Sequence, residues 1–231
     1  TTVNGGAGAD NIYVGTNAGL GDTGGNVNSI GANLFVNGNA DGAVLHVDDT
    51  GDTLANTGNL TSTVLSGLGM TGTITYGTLT TANIHLGSGG DTFTIESTHA
   101  GTTNLNANAG DDVIHIRTTA GLTNLATGTG VNTVNVGSLM PATGGTVNGI
   151  SSLDLLTLNG GGTDTVNVDD TGDTLANTGN LTSTLLTGLN MGNGIEYAGI
   201  ETLNINLGSG GDTFRIESTH VGTTNLNANG G

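Results

Sequence analysis

Apolar residues two positions apart recur along this chain in short segments that Gly, Thr, Asn and Asp separate. Alternation with a period of two predicts β-strands that bury one face, and the polar residues between the apolar ones suit an outer face in contact with water. No helical spacing is sustained, and Gly is too frequent for long helices. The apolar pairs are Ile12/Val14, Leu34/Val36, Leu45/Val47, Ile84/Leu86, Phe93/Ile95, Ile114/Ile116, Val134/Val136, Leu156/Leu158, Val166/Val168, Leu203/Ile205 and Phe214/Ile216.

The predicted strands are themselves periodic. Phe93, Ile114 and Val134 are 21 and 20 residues apart, so a unit of about 20 residues contains two short strands and two turns. Strands that return at this interval stack on one another in a solenoid. We therefore predict an all-β fold, a parallel β-solenoid of the β-helix or β-roll type, with about 20 residues and two short strands per coil.

A longer repeat of 121 residues is superimposed on the short one. Residues 47–63 read VDDTGDTLANTGNLTST and return letter for letter at 168–184. The match extends over residues 47–108 and 168–229. We expect about six of the short units in each long repeat. Such repetition is typical of architectural proteins, which are built from stacked and extensible units.

The composition is acidic and contains no cysteine. Nineteen Asp and Glu residues stand against two basic residues, Arg117 and Arg215, and the net charge is −17. Nucleic acids and anionic membrane surfaces bind through Lys and Arg, so neither is an expected partner. No apolar run is long enough to cross a bilayer, and we expect no membrane insertion. Disorder, the alternative for a Gly-rich acidic chain, conflicts with the strong apolar pattern.

A turn in which Gly precedes Asp, and Asp precedes an apolar residue, recurs between the predicted strands. Residues 5–13 read GGAGADNIY, and related segments are LGSGGDTFT at 86–94, NGGGTDTVN at 159–167 and LGSGGDTFR at 207–215. Gly permits the positive φ of a tight turn, and Asp adds a carboxylate where the chain re-enters the strand. Stacked turns therefore bring carboxylate and carbonyl oxygens together, and such hard ligands favour Ca²⁺ over transition metals.

These turns resemble the calcium-binding nonapeptides of the RTX family, whose β-roll repeats occur in secreted bacterial adhesins, toxins and surface-layer proteins. The family has two nonapeptides in every coil, whereas this chain has one Gly-Asp turn in about 20 residues, so ions are expected along one edge only. Asn132 replaces Asp in one of the turns. The resemblance implies that the Ca²⁺ ligands, assisted by backbone carbonyls, are Asp10, Asp91, Asp112, Asp164 and Asp212.

A second acidic cluster lies outside the nonapeptide pattern. Three carboxylates within five residues are the raw material of a further Ca²⁺ site, and they are equally the composition of a solvated turn. The same alternative applies to the Gly-Asp turns, where Asp can cap its own backbone. The cluster consists of Asp48, Asp49 and Asp52, and it is copied as Asp169, Asp170 and Asp173.

Catalysis is not expected, although parallel β-helices also include enzymes that degrade polysaccharides. Glycoside hydrolysis needs two carboxylates across a cleft, and a lyase needs a basic residue, yet the chain has no Lys and two Arg. The acidic cluster also recurs identically, which suits a ligand or turn better than a unique active site. The five His residues are scattered, and we expect them on the surface.

The sequence therefore predicts an architectural, extracellular segment: a filament, a spacer, or the stalk of a surface-layer protein or adhesin. One continuous solenoid of residues 1–231 is expected, with approximate units 1–109 and 110–231. The expected partners are further copies end to end, or neighbouring repeats of a longer chain. Alternatives are a module that binds carbohydrate, such as cell-surface polysaccharide, and an ice-binding solenoid, which requires a regular outer array of Thr or Asn.

Overall fold

The computed structural model describes residues 1–17, 19, 21 and 23–230; Gly231, which ends the second unit, lies outside the described residues. The described part of the chain contains strands and turns but no helix. The strands are β1 (Thr2–Asn4), β2 (Asp10–Val14), β3 (Leu34–Asn37), β4 (Ala43–Asp48), β5 (Thr57–Leu60), β6 (Val64–Gly67), β7 (Thr73–Gly77), β8 (Leu79–His85), β9 (Thr92–Ile95), β10 (Thr102–Asn106), β11 (Val113–Ile116), β12 (Thr123–Gly128), β13 (Val131–Val136), β14 (Leu156–Gly160), β15 (Thr163–Asp169), β16 (Thr178–Leu181), β17 (Leu185–Gly188), β18 (Ile195–Ala198), β19 (Thr202–Asn206), β20 (Thr213–Ile216) and β21 (Thr223–Asn227).

The strands form two long sheets between which the chain alternates. Sheet A has 11 strands in the order β1-β3-β7-β6-β5-β9-β11-β13-β15-β19-β21, and sheet B has ten in the order β2-β4-β8-β10-β12-β14-β18-β17-β16-β20. Most neighbours are parallel, as they must be when the chain advances one coil between visits to the same sheet. The predicted all-β parallel solenoid is confirmed.

The core is a narrow space between the sheets that the apolar alternation fills. Residues in register on successive strands stack into buried columns, and each coil covers the apolar residues of the one before. The columns include Phe93, Ile114, Val134, Val166 and Leu203 in sheet A, and Ile84, Leu105, Leu125, Leu158 and Tyr197 in sheet B.

The last apolar pair departs from the predicted pattern. Phe214 is partly buried and Ile216 is 50% exposed, whereas both were expected to point into the core. β20 is the last strand of sheet B, so no further strand covers its apolar residues.

The predicted coil of about 20 residues describes part of the chain. Thr103 pairs with Thr123, and Ile114 pairs with Val134, each 20 residues later. Elsewhere two insertions lengthen the coil. The first is the long connection between β2 and β3, which recurs between β13 and β14. The second is a group of three antiparallel strands, β5-β6-β7 in the first copy and β16-β17-β18 in the second.

Each 121-residue repeat contains an odd number of sheet visits. From β2 to the equivalent β13 the chain visits the sheets nine times: at β2, β3, β4, the β5–β7 group, β8, β9, β10, β11 and β12. Each coil visits both sheets once, so nine visits make the repeat four and a half coils long. The expected six coils per repeat are wrong, because the two insertions occupy residues that would otherwise form further coils. Equivalent strands of the two copies therefore lie on opposite sheets. Each group of three antiparallel strands is called a hairpin below; the β5–β7 hairpin joins sheet A, and the β16–β18 hairpin joins sheet B.

Candidate functional site

The eleven aspartates that the sequence singled out lie at the turns, but on both edges of the solenoid. We define edge 1 by the turns that lead from sheet B to sheet A, and edge 2 by those from A to B. The predicted ligands were expected along one edge only. The structure places them on both edges, because a repeat of four and a half coils moves the second copy of each turn to the other edge. Edge 1 holds Asp48, Asp49, Asp52, Asp91, Asp112 and Asp164, and edge 2 holds Asp10, Asp169, Asp170, Asp173 and Asp212.

The Gly-Asp turns of edge 1 are linked by a hydrogen-bonded ladder. Asn56 donates its backbone N–H to Asp91 Oδ1 at 2.7 Å, and Asp91 donates its own to Asp112 Oδ1 at 2.7 Å. Asp112 N–H donates in turn to Asn132 Oδ1 at 3.0 Å, and Asn132 Nδ2 to Asp164 Oδ1 at 3.0 Å. Asn132, which replaces Asp in the motif, thus keeps the acceptor that the ladder needs.

Backbone conformation requires glycine in three turns of the Gly-Asp type, one on edge 2 and two on edge 1. Gly8, Gly110 and Gly130 each lie two residues before the inward-facing Asp or Asn, and their φ angles are +101°, +122° and +126°. These values are costly for a residue with a Cβ atom. The turn can therefore aim its polar side chain inward at the start of the next strand.

The acidic cluster forms a clamp on the connection that precedes it in the stack. Asp48 Oδ2 accepts a hydrogen bond from Gly25 N–H at 2.8 Å, and Asp49 Oδ1 accepts one from Val27 N–H at 3.0 Å. The second copy repeats both contacts at 3.0 and 3.1 Å with its equivalent residues. The cluster is therefore a buried structural element in both copies, not a solvated turn.

Hydrogen bonding divides the eleven aspartates into two groups. In five of them both carboxylate oxygens accept hydrogen bonds: Asp48, Asp52, Asp164, Asp169 and Asp173. In the other six Oδ2 is buried without a hydrogen-bond partner: Asp10, Asp49, Asp91, Asp112, Asp170 and Asp212. A buried carboxylate oxygen without a partner is destabilising, so these six atoms are where a cation or a proton has most to gain.

The pKa values of several of these aspartates differ clearly from the ordinary value. Burial raises the pKa of Asp49 to about 7 and that of Asp170 to about 6, with smaller contributions from neighbouring carboxylates. Burial likewise raises the pKa of Asp112 to about 6. In contrast, the pKa of Asp52 is lowered, chiefly because Leu54 N–H donates to its carboxylate. Asp49, Asp112 and Asp170, each with an unpartnered oxygen, thus resist ionisation in the absence of a cation.

The donor set determines how a calcium ion could be held. Among the residues that the structure describes, no group of three or more His, Cys, Asp or Glu side chains is arranged to hold a metal ion. A Ca²⁺ ion at these turns would therefore take one or two carboxylates and complete its shell with backbone carbonyl oxygens or water, which hard cations accept. The six unpartnered oxygens have no hydrogen bond that a cation would need to displace, whereas both oxygens of the other five aspartates are already hydrogen-bonded.

An amide ladder runs along the outer face of sheet A. Asn167 Nδ2 donates to Asn135 Oδ1 at 2.9 Å, Asn204 Nδ2 to Asn167 Oδ1 at 2.7 Å, and Asn225 Nδ2 to Asn204 Oδ1 at 2.7 Å. A shorter ladder runs along sheet B. The signal was the Thr-x-Asn spacing in several strands, which becomes an array only once the register is known.

One histidine is buried against expectation. His115 lies on the outer face of β11 in register with Asn135, yet it is only 7% exposed. The neighbouring Arg117 donates from Nε to the carbonyl of Met140 at 2.7 Å and pairs with Glu96 at 2.6 Å. The connection after β13 is thereby fixed at this end of β11.

Comparison with known proteins adds no relative. No protein-family model matches the chain, and neither a curated protein nor a solved structure matches it. Within the described residues, no helix is long and apolar enough to cross a bilayer. The functional argument therefore rests on the geometry of the chain itself.

Proposed function

We propose that this chain is an architectural segment of an extracellular or cell-surface protein, a rigid spacer within a filament, stalk or surface layer. The observation that carries the proposal is the exchange of sheets between the two copies. Each hairpin adds two strands to one sheet, and because the copies alternate, the sheets end with 11 and ten strands. An insertion that always joined the same sheet would lengthen one side of the stack only.

The distribution of polar and apolar residues also supports a structural rather than a catalytic role. The acidic clusters occur twice and are used as clamps in both copies. One surface pocket lies beside Ile30 and Leu34, and no Asp, Glu, His, Lys or Arg side chain is among the described residues that line it. General acid–base catalysis needs such groups in a cleft.

Calcium is the proposed stabilising ion, in keeping with the resemblance of the Gly-Asp turns to RTX repeats. Supporting this are the positive φ angles of the turn glycines and the six unpartnered carboxylate oxygens. Binding of Ca²⁺ would neutralise part of a net charge of −17 and couple folding to a calcium-rich exterior. Further copies end to end, or neighbouring repeats of a longer chain, are the proposed partners.

The spacer function is tested by a distance measurement. Because the chain has no Cys, spin labels can be attached to single cysteines at Thr2 in β1 and Asn225 in β21, the two outermost strands of sheet A. Ten spacings between 11 strands correspond to about 48 Å. Pulsed dipolar spectroscopy in millimolar Ca²⁺ is expected to give one narrow distance near that value. A broad or much shorter distribution would contradict a rigid spacer.

The role of calcium is tested by circular dichroism and thermal melting, first in EDTA and then in millimolar Ca²⁺. We expect a cooperative β spectrum with Ca²⁺ and a loss of structure or a lower melting temperature in EDTA. Identical spectra and melting temperatures would remove calcium from the proposal and leave the apolar columns and polar ladders as the stabilising elements.

Polysaccharide binding is a second candidate, supported by the outer face of sheet A. Thr and Asn lie two residues apart on four successive strands, β13, β15, β19 and β21, and form two uncharged rows in register. A flat row of hydroxyl and amide groups suits an extended, uncharged glycan. A glycan array probed with the chain and with a Thr165→Val/Thr202→Val variant tests this candidate; binding that survives the substitutions unchanged contradicts it.

A further inference from the structure

The acidic cluster and the following Gly-Asp turn are joined into one unit on each edge. On edge 1, Ser88 N–H donates to the Asp52 carbonyl at 2.8 Å, and Asn56 N–H donates to Asp91 Oδ1 at 2.7 Å. Asp49 N–H donates to the carbonyl of His85 at 2.9 Å, at the end of the strand that leads into the turn of Asp91. The sequence separates these aspartates by more than 40 residues, so their association is a product of the coil.

The second copy reproduces the same junction on edge 2. Ser209 N–H donates to the Asp173 carbonyl at 2.8 Å, and Asn177 N–H donates to Asp212 Oδ1 at 2.8 Å. The cluster residue there is Asp170. A junction that is preserved when its surroundings change from one edge to the other is a property of the repeat.

Each junction contains two carboxylate oxygens that no hydrogen bond satisfies. They are Oδ2 of Asp49 and of Asp91 in the first copy, and Oδ2 of Asp170 and of Asp212 in the second. Asp49, Asp91 and Asp170 are at most 1% exposed. Two carboxylates in one junction, each with a buried and unpartnered oxygen, favour a counter-charge.

No Lys or Arg side chain supplies that counter-charge. The two arginines of the chain pair with other acids, Arg117 with Glu96 at 2.6 Å and Arg215 with Glu217 at 3.4 Å. Neutralisation must therefore come from a bound cation or from protons. The pKa of Asp49 is raised by burial and, to a smaller extent, by the charges of Asp52 and Asp91, as expected for carboxylates near one another without a cation.

We propose that each junction holds one hard divalent cation of the Ca²⁺ class between two carboxylates, Asp49 with Asp91 and Asp170 with Asp212. This deepens the calcium part of the proposed function and rests on it. It replaces a row of equivalent Gly-Asp sites by two specific sites, one per copy and one on each edge. Each cation connects a cluster to the next coil and so fastens the insertion to the stack.

Asp112 serves as the matched control. Its Oδ2 is also buried without a partner, and it belongs to a Gly-Asp turn on the same edge. The coil before it offers the turn of Asp91, whose N–H its Oδ1 accepts, in place of an acidic cluster. Asn at this position keeps that acceptor. The proposal therefore predicts no strong cation site at Asp112. A site at every Gly-Asp turn, as in the RTX resemblance, predicts one.

The test is the number of Ca²⁺ ions bound, measured by isothermal titration with calcium chloride on the refolded, EDTA-treated chain and checked by equilibrium dialysis. The wild type is expected to bind two ions, Asp49→Asn one, Asp170→Asn one, the double variant none, and Asp112→Asn two. Asn keeps the Oδ1 acceptor for Val27 N–H, so the fold is least disturbed, and Asp91→Asn provides an independent substitution at the first site.

Three outcomes would overturn the inference. The first is an unchanged ion count in both Asp49→Asn and Asp91→Asn; the second is the loss of an ion in Asp112→Asn. The third is the absence of bound Ca²⁺ in the wild type. If Asp49→Asn is then at least as stable in EDTA as the wild type, the junction holds protons instead. The spin-label distance separates these results from a failure of the spacer function, since a narrow distance near 48 Å without bound ions leaves the rod intact.

Discussion

The β5–β7 and β16–β18 hairpins have similar sequences and lie in opposite sheets. Both fold back as antiparallel strands, and both place a Tyr hydroxyl on a turn carbonyl: Tyr76 on Thr61 at 2.5 Å and Tyr197 on Thr182 at 2.6 Å. Yet the first hairpin belongs to sheet A and the second to sheet B. Local sequence therefore determines the hairpin, whereas the number of preceding sheet visits determines which sheet it joins.

The two copies also differ in how deeply their equivalent residues are buried. Phe93 and Ile95 of β9 are 0% exposed, whereas Phe214 is partly buried and Ile216 is 50% exposed in β20. β9 has strands on both sides, and β20 is the last strand of sheet B. Because the sequences match almost completely, the pair isolates the contribution of the neighbouring coil to stability.

The largest expected difference between the copies concerns these phenylalanines. Phe93→Ala should destabilise the chain by about 3–5 kcal/mol, because a buried column loses a ring and gains a cavity. Phe214→Ala should cost less than half as much. Urea unfolding followed by circular dichroism measures both, with the outward-facing Thr92→Ala as a control. Equal losses at the two positions would show that the neighbouring coil contributes little.

The next comparison uses pH in the presence of EDTA. The pKa of Asp49 is raised from 3.8 to about 7, and that of Asp170 to about 6. Between the unfolded and folded pKa values the folded chain binds more protons than the unfolded chain, so this contribution is complete below pH 3.8 and is lost as the pH rises. We expect stability to fall from pH 4 towards pH 7.

The isosteric variants assign that pH dependence to the two copies. Asp49→Asn should reduce the loss of stability up to pH of about 7, and Asp170→Asn the loss up to about 6. Asp112, whose pKa is also raised to about 6, contributes equally to the wild type and both variants. Melting temperatures measured at half-unit steps of pH provide the profile. A wild-type profile that is flat or rises over this range contradicts the assignment.

Glycine substitutions in the hairpins are expected to have a smaller effect. A Cβ atom at Gly58 would overlap the ring of Phe93, and one at Gly179 would overlap the ring of Phe214. Overpacking of this kind costs about 1–3 kcal/mol, and Gly58→Ala should be the more costly because Phe93 is confined on both sides. If Gly179→Ala is as destabilising in urea as Gly58→Ala, the partly buried ring of Phe214 does not move aside as expected.

The smallest expected effect is also the most symmetric. Tyr76→Phe and Tyr197→Phe each remove one buried hydrogen bond within a hairpin, which is worth about 1 kcal/mol. The loss should be equal in the two copies, because the bond does not involve the neighbouring coil. Unequal losses of stability, measured by urea unfolding, would indicate that the neighbouring strands of the sheet change the strength of this hydrogen bond.

Much of the fold follows from local pattern. Pairs such as Ile114/Ile116 identify strands because alternation places both residues on one face, and the 20-residue step identifies stacking because each strand needs a cover for that face. The positions of the turns follow from Gly and Asp. These are short-range properties, and one sequence is enough to reveal them.

The hairpins could not be predicted in the same way. Parallel and antiparallel strands share the same alternation, and in the β5–β7 hairpin the reversal depends partly on Leu68, which has a φ of +52° that its residue type does not suggest. Counting the three strands of this group as separate coils adds to the predicted number of coils, but it leaves the number of sheet visits odd.

The candidate site was predicted by residue type but not by role. Asp49 and Asp52 look alike in the sequence, yet one has an unpartnered oxygen and the other accepts hydrogen bonds at both. The difference depends on which backbone N–H groups the neighbouring coil offers, and that requires the register of the stack. The pairing of Asp49 with Asp91 across coils depends on the same information.

The odd number of sheet visits acts as a half-turn about the axis of the rod. In a tandem array of such copies, successive hairpins would face opposite directions, and every second copy would return to the same side. Whether the first and last hairpins of an array point to the same side would then depend only on whether the number of copies is odd or even. Gain or loss of a single copy would thus invert one end of the rod relative to the other while leaving every local contact unchanged.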